Sequence, residues 1–213
     1  MARPVTVVGL GGSLRAASTS HSALQAAVDG ARHAGAQASL VWIRDLDLPL
    51  YTTERPIPSA ARQFANAVYS SDALIWSTPT YHGSVSGSFK NALDWLILLA
   101  ERDPPYLTSK PVGLVSTAGG IQGLQAINSL DFIARALRAW SVPLVLPVGQ
   151  SWRTFDPDGR LVDEVVALEL RELGSEVVRA ARQFQAEGTC DYAEARQFAQ
   201  AGSDLSGADT PGS

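Results

Sequence analysis

The chain has 213 residues, of which 46% are hydrophobic and 18% charged, and this composition supports one globular domain with a substantial core. Lysine and arginine number 17 against 21 aspartates and glutamates, and a net charge of −4 gives no general attraction to nucleic acid or to an anionic membrane surface. The single cysteine, Cys190, excludes an intrachain disulfide and, with no apolar stretch approaching 18 residues, favours a cytoplasmic protein.

Five short runs rich in β-branched residues alternate with segments of helical period, which is typical of a mostly parallel sheet with helices on both faces. The predicted strands cover residues 5–9, 39–43, 73–77, 112–116 and 142–148. The fifth contains Pro143 and Pro147, which cannot donate hydrogen bonds to a neighbouring strand, so we expect it at an edge. The strand order 2-1-3-4-5 of a doubly wound α/β fold places it there.

Apolar residues recur at intervals of three or four between and after these strands, which predicts five helices. Three of the helices contain Leu24, Phe64 and Phe89, and the other two cover residues 122–140 and 162–185. From residue 187 onward the composition shifts to Gly, Ala, Ser, Asp and Thr. We therefore expect one domain over residues 1–186 and a disordered polar tail over residues 187–213.

Glycines and hydroxyl groups are concentrated in residues 9–20, between the first strand and the first helix. Ser13, Ser18 and Ser20 can donate hydrogen bonds, and Arg15 places a planar cation beside a helix N-terminus. A glycine turn with an ordinary N-cap explains any one of these residues, but their concentration favours an anion site. The dinucleotide fingerprint is broken at its third glycine, so the loop suits a monophosphate better than a pyrophosphate.

Two further polar loops follow the third and fourth strands, whose carboxyl ends should meet the first loop at one edge of the sheet. In the first of these loops, Pro79 stiffens the exit from the strand, and Tyr81 and His82 offer planar side chains. In the second, Gly119 and Gly120 present bare backbone amides before a helix. Surface packing of Tyr81 and solvation of His82 are equally good interpretations of each residue alone. Together the three loops predict a pocket for a planar ring that carries one phosphate.

At these loops the chain resembles the NAD(P)H-dependent FMN reductase family, which has a flavodoxin-like fold. The family pattern Gly-Ser-x-Arg-x-x-Ser occurs at residues 12–18, and Thr-Pro-x-Tyr-x-Gly-Ser-x-x-Gly occurs at residues 78–87. The resemblance covers about residues 4–186 and implies FMN as the cofactor, with NADPH or NADH as the hydride donor. It implies phosphate contacts from Ser13, Arg15, Ser18 and Ser20 and ring contacts from Pro79, Thr80, Tyr81, His82, Gly83, Ser84, Gly119 and Gly120. It also implies a homodimer or a dimer of dimers, with residues 89–95 contributing to the dimer face.

The cofactors carry the chemistry of hydride transfer, so we assign no catalytic side chain. Three separated histidines and one cysteine offer no zinc spacing, so we assign no metal. The predicted activity is NAD(P)H-dependent reduction of FMN, which supplies reduced flavin to a flavin-dependent monooxygenase or another acceptor. One alternative is an oxidoreductase that keeps FMN and reduces a quinone, an azo or nitro compound, or a biosynthetic small molecule. The other is a flavodoxin-type electron carrier, against which Arg15 and the modest net charge argue.

Overall fold

The computed structural model describes residues 3–186, so the predicted tail over residues 187–213 lies outside the described residues. Within them, the strands are β1 Thr6–Gly11, β2 Gln37–Trp42, β3 Ala73–Tyr81, β4 Ser84–Val85, β5 Pro111–Thr117 and β6 Trp140–Val148. The α-helices are α1 Thr19–His33, α2 Ser59–Ser70, α3 Gly87–Asp94, α4 Gly123–Ala136, α5 Ser151–Thr154 and α6 Glu164–Ala186. Two 3-10 helices cover Ile43–Leu46 and Trp95–Leu99. None of the described helices is both long enough and apolar enough to cross a membrane.

The strands follow the order β2-β1-β3-β5-β6, and every neighbouring pair along this path is parallel. The two-residue strand β4 pairs with β3 in the antiparallel direction. Helices α1 and α6 pack on one face of the sheet, and α2, α3 and α4 pack on the other. The predicted doubly wound, flavodoxin-like fold is confirmed, with β4 as an addition to the five predicted strands.

The edge position of the last strand, β6, is also confirmed, since its one neighbour on this path is β5. Val112 of β5 is paired with Ser141, whereas Leu114, two residues on, is paired with Val145, four residues on. Strand β6 therefore bulges between these pairs, and Pro143 lies in the bulge. A proline is tolerated there because the ladder is already interrupted and needs no donor.

The predicted last helix, residues 162–185, is observed two residues later at its start, and the short helix α5 was not predicted. Two other predicted helices differ more from the observed ones. The helix predicted over residues 122–140 ends at Ala136, because the chain turns at Arg138, where φ is +63°, and Trp140 begins β6. The helix predicted around Phe89 is divided into α3 and the 3-10 helix Trp95–Leu99. In both cases the apolar residues keep their helical spacing after the α-helix has ended, so the pattern predicts too long a helix.

Strand β3 is longer than predicted, so Pro79, Thr80 and Tyr81 belong to a strand and not to a loop. Strand β1 pairs with β3 only as far as Ser77. Beyond that point Thr80 and Tyr81 of β3 pair with β4. Pro79 lies between the pairings with β1 and with β4, so its missing N–H interrupts neither of them. The extension carries Tyr81 past the end of β1 to the edge where ligands collect in such sheets.

Helices α1 and α6 touch through their backbones. A methyl group added at Gly30 would overlap the Arg171 carbonyl oxygen, and one added at Gly174 would overlap the carbonyl oxygen of Ala27. The Ser175 hydroxyl donates to the carbonyl oxygen of Gly30 at 3.3 Å. This contact fixes α1, whose first residue faces the loop rich in hydroxyl groups.

Candidate functional site

A cavity of about 270 Å³ opens at the carboxyl ends of β1, β3 and β5. Four segments of the chain line it, three of which are the predicted loops and the fourth the segment that follows β6. The lining residues are Arg15, Ala17, Ser18, Thr19, Pro79, Thr80, Tyr81, Thr117, Ala118, Gly119, Ser151, Asp156, Pro157 and Gly159. The structure therefore brings six of the predicted site residues into one cavity: Arg15, Ser18, Pro79, Thr80, Tyr81 and Gly119.

A larger cavity, of about 550 Å³, lies at the opposite edge, beside Asp72 and Lys110. Both charged side chains have structural partners. Asp72 accepts hydrogen bonds from Arg3 at 2.7 and 2.5 Å and from the Thr6 backbone at 2.8 Å, while Lys110 donates to the carbonyl oxygen of Ser71, just after α2. Burial alone would raise the pKa of Asp72, but these donors outweigh it and lower the pKa to about 2. Because these groups stabilise the ends of elements, the functional site is assigned to the carboxyl edge.

The loop before α1 divides into residues that line the cavity and residues that hold the loop. Arg15 is exposed, and its guanidinium has no hydrogen-bond or ion-pair partner within residues 3–186. Ser18 is the N-cap residue of α1, but its side chain caps no backbone N–H. Ser13 is buried and accepts a hydrogen bond from the Arg15 backbone at 3.1 Å, while the Ser20 hydroxyl lies 2.9 Å from that of Ser18. Of the four predicted phosphate ligands, Arg15 and Ser18 face the cavity, and Ser13 and Ser20 lie behind it.

A buried histidine, His21, lies against the backbone of this loop at Ser13 and Ala16. Its ring centroid lies 4.4 Å from that of Trp42. Burial lowers the pKa of His21, the charge of Arg44 lowers it further, and hydrogen bonding to the backbone of Ser13 and Ala16 opposes both effects. A neutral ring is therefore favoured beneath the loop. The sequence contains no signal for this role, because the contacts join α1 to β2 and to the loop through the fold.

The hairpin between β3 and β4 turns at His82 and Gly83, where φ is +51° and +78°. Positive φ at both residues of a two-residue turn is what a tight hairpin requires. A Cβ atom at Gly83 would lie 2.7 Å from the Gln125 side-chain oxygen, so this hairpin packs closely on α4. Tyr81 lines the cavity and is half exposed, whereas His82, Gly83 and Ser84 form the hairpin and do not line the cavity.

Three threonines, Thr19, Thr80 and Thr117, line the cavity. The Thr80 hydroxyl is buried, and it has no hydrogen-bond partner among the described residues. A buried hydroxyl without a partner costs roughly 1 to 3 kcal/mol unless a ligand or water satisfies it. The hydroxyl of Thr19 donates to that of Thr117 at 3.2 Å, which joins the start of α1 to the end of β5. The site thus contains one buried hydroxyl without a partner among the described residues, and a hydrogen bond fixes the distance between the start of α1 and the end of β5.

The two glycines after β5 have different surroundings. A Cβ atom added at Gly119 would meet nothing within 4 Å, and Gly119 lines the cavity. The carbonyl oxygen of Gly120 accepts a hydrogen bond from Gln150 at 3.3 Å, so this residue holds the loop after β6 and does not line the cavity. Gly119 is therefore the residue of this pair where a ligand can approach the backbone.

Sequence reasoning missed the fourth wall, a turn over residues 156–159 between Phe155 and Leu161, which form an isolated antiparallel bridge. The turn ends at Gly159, where φ is +79°. The Ser22 hydroxyl donates to the carbonyl oxygen of Gly159 at 2.5 Å, which fixes the turn on α1. The sequence Asp-Pro-Asp-Gly is a strong turn signal. It could have predicted the turn, but not its position against the first helix.

The cavity wall is made of hydroxyl groups, backbone, an arginine and a carboxylate. Within the described chain, no cluster of three or more His, Cys, Asp or Glu residues could hold a metal ion. No cysteine, histidine or pair of carboxylates lines this cavity among residues 3–186. Such a wall suits binding and orientation of an anionic ligand, and it provides no nucleophile with an adjacent base.

Comparisons with known proteins agree with this chemistry. Residues 5–153 match the sequence family described as NADPH-dependent FMN reductase. An NADPH:quinone oxidoreductase of Arabidopsis thaliana is 31% identical over 176 residues, which cover 79% of this chain and 88% of that protein. An FMN-dependent NADPH-azoreductase of Staphylococcus haemolyticus is 32% identical over 143 residues, which cover 60% of this chain and 73% of that protein. Among solved structures, the flavoenzyme NAD(P)H:(acceptor) oxidoreductase FerB from Paracoccus denitrificans has the same fold, with a TM-score of 0.68, 23% identity and coverage of 84% of this chain and 98% of that one.

Proposed function

The chain belongs to the NADPH-dependent FMN reductase family, and we propose that its 270 Å³ cavity binds the phosphate end of FMN while NADPH or NADH reduces the flavin. It is a flavodoxin-like oxidoreductase that depends on FMN and on a nicotinamide donor. The observation that carries the proposed site is the unpartnered guanidinium of Arg15 beside the first turn of α1, in a cavity that is also lined by Thr80, whose buried hydroxyl has no partner among the described residues.

The phosphate is assigned to Arg15, Ser18 and the start of α1. Backbone N–H groups at a helix N-terminus are unpaired and carry partial positive charge, which favours an anion there. Ser18 adds a hydroxyl that caps nothing in the helix, and Arg15 adds a cation with no other partner in the described chain. Ser13 and Ser20 contribute indirectly, because their hydrogen bonds hold the shape of this loop.

The ring is assigned to the open side of the cavity. A volume of about 270 Å³ is at the lower end for ligand pockets and suits a phosphate with its sugar-like chain better than a whole flavin. Tyr81 is 50% exposed at this side, and Gly119 leaves space for a ligand against its backbone. These two residues are the groups that would meet the ring.

When bound, FMN supplies the redox chemistry, since its ring accepts a hydride from the nicotinamide and passes two electrons onward. The chain's own residues bind and orient. Arg15, Ser18 and Thr80 fix the phosphate end, and backbone near Gly119 stabilises negative charge that develops on the ring. No side chain is assigned as a general acid or base, in keeping with the composition of the wall.

We infer that reduced FMN leaves the site and supplies a flavin-dependent monooxygenase or another soluble acceptor. The open ring side and the absence of a covalent attachment in the proposed contacts support exchange. A second candidate, in which FMN stays bound and a quinone or azo compound is reduced directly, is supported by the activities named for the Arabidopsis and Staphylococcus relatives.

Diffusion separates the two fates. The enzyme, NADPH or NADH and limiting FMN are held under anaerobic conditions on one side of a dialysis membrane, and a flavin-dependent monooxygenase is placed on the other. Bleaching of flavin on the monooxygenase side supports release, and a chamber without enzyme is the control. Oxidation of the nicotinamide only when a quinone shares the enzyme's chamber supports the bound-flavin alternative. No oxidation with FMN and any acceptor would refute both.

We propose that two copies of the chain pair through the exposed side of α4 and Ile121, two residues before it. Residues 89–95, for which the family resemblance implied this role, bury Phe89, Leu93 and Trp95 in the core and leave polar side chains outside. Ile121 and Phe132 are 88% and 75% exposed, and Leu124 lies between them. This apolar face adjoins the Gly119 loop, so a second copy there would lie close to the ring side. Light scattering of Phe132→Glu should report a smaller particle than wild type if the proposal is right.

A further inference from the structure

Asp156 is the one carboxylate that lines the cavity among residues 3–186. Its side chain is 26% exposed, so its charge is partly shielded from water. It shares the cavity with Arg15 and Ser18, the residues assigned to the phosphate. A carboxylate at a site for an anion repels the anion and weakens its binding.

The turn that carries Asp156 is held against the start of α1. A Cβ atom on Gly159 would lie 3.9 Å from the Ser18 nitrogen and 4.0 Å from that of Thr19. The hydrogen bond from Ser22 to Gly159 fixes this approach. The turn is therefore held beside the first residues of α1, and Asp156 lines the same cavity as Ser18 and Thr19.

The turn at residues 156–159 needs Asp156 as a hydrogen-bond acceptor, whereas the negative charge of Asp156 has only a weak partner. One carboxylate oxygen accepts a hydrogen bond from the Arg160 backbone at 2.8 Å, a bond that an asparagine oxygen makes equally well. The Arg160 guanidinium is 75% exposed and lies 3.8 Å from Asp156 but 3.3 Å from Asp158. An exposed cation shared between two carboxylates compensates the charge of Asp156 only weakly.

We propose that Asp156 is a specificity-determining residue that weakens the hold on the flavin phosphate and so allows FMN to exchange. The inference depends on the proposed phosphate site and deepens it. A phosphate monoester carries a charge of about −1.5 to −2 at neutral pH, and a carboxylate in the same partly desolvated cavity repels it. Weaker affinity within one site is expressed mainly as faster dissociation. Reduced FMN can then leave after each turnover.

The test measures binding of FMN and of riboflavin, which lacks the phosphate, to the full chain at low ionic strength. Asp156→Asn removes the charge and keeps the hydrogen-bond acceptor. We expect its Kd for FMN to fall roughly fivefold, with slower release, and its Kd for riboflavin to stay unchanged. Asp158→Asn is the matched control, because it removes the same charge from an exposed side chain of the same turn that does not line the cavity. Asp156→Ser, which also keeps an acceptor, carries the test if the asparagine variant does not fold.

Each outcome decides one question. A gain for FMN alone, seen with Asp156→Asn and absent with Asp158→Asn, supports the inference. Equal changes for FMN and riboflavin, the same gain in both variants, or weaker FMN binding would overturn it. If the wild-type chain shows no preference for FMN over riboflavin, the proposed phosphate site itself is wrong. If the preference exists and Asp156→Asn leaves it unchanged, only the role of Asp156 is wrong.

Discussion

Replacement of Arg15 by alanine is the most direct test of the proposed phosphate site. The side chain is exposed and has no partner within residues 3–186, so its removal breaks no internal hydrogen bond or ion pair. The backbone bond from Arg15 to Ser13 stays, because alanine has the same N–H. The substitution should therefore leave the melting temperature unchanged and affect the ligand alone.

The expected loss of FMN affinity is about 1.5 kcal/mol. A hydrogen bond between charged partners contributes about 1.5 to 3 kcal/mol, and an exposed guanidinium belongs at the lower end because water and salt screen it. Since about 1.4 kcal/mol corresponds to a factor of ten, the Kd for FMN should rise by roughly an order of magnitude. Riboflavin, which has no phosphate, should bind as it does to wild type.

Fluorescence titration of the flavin-free chain with FMN and with riboflavin measures both constants. Arg62→Ala, which changes an exposed arginine on α2 that does not line the cavity, is the matched control. The proposed phosphate site is wrong if Arg15→Ala binds FMN as tightly as wild type. It is also refuted if riboflavin binding falls by the same factor, because the guanidinium would then contact another part of the flavin.

Three further predictions concern the frame of the site. Gly174→Ala forces a methyl group onto the backbone of the facing helix and should cost about 2 kcal/mol or more, lowering Tm by roughly 4 to 8 °C, whereas Gly87→Ala, with open space at its Cβ, should leave Tm unchanged. The pKa of Asp72 is lowered from 3.8 to about 2, so its ionised carboxylate stabilises the fold at pH values above 3.8. In urea titrations, wild type should therefore be more stable than Asp72→Asn at pH 6, and this difference should disappear as the pH falls from about 4 to about 2. An advantage that persists at pH 2 would show that the ion pair with Arg3 is not its source. A chain that ends at Glu187 should keep its Tm and its FMN affinity, because residues 3–186 contain all the described strands and the described lining of the cavity. A drop of several degrees would contradict this.

The strand order could be predicted because its determinants are local. Runs of β-branched residues mark the strands, and Pro143 and Pro147 identify the edge strand by chemistry that does not depend on the rest of the fold. Arg15, Ser18 and Gly119 could be expected at one site because the carboxyl ends of parallel strands meet at one edge.

The rest of the site depends on contacts between distant segments. The Thr80 hydroxyl lies in a strand because β3 continues after β1 has ended, and local sequence does not reveal where a neighbour stops. Ser13 was expected to bind the phosphate, but it is buried and accepts a hydrogen bond from its own loop. Asp156 reaches the cavity only because the chain returns to α1 after β6, so a turn signal alone could not place it there.

The backbone contact between α1 and α6 has a consequence for the thermodynamics of ligand binding. Gly30 and Gly174 leave no room between the two helices, so α1 cannot shift without moving α6. A phosphate that binds at the start of α1 meets donors whose positions are already set, so α1 loses little conformational entropy on binding, and the ordering that FMN causes should be greatest in the turn at residues 156–159, part of which lines the cavity. Amide hydrogen exchange along the contact between α1 and α6 should be equally slow with and without FMN, while the first turn of α1 and the turn at residues 156–159 gain protection. Substitutions along the helix contact will then change the temperature at which the protein unfolds, whereas removal of the Asp156 charge will change how long the flavin stays bound.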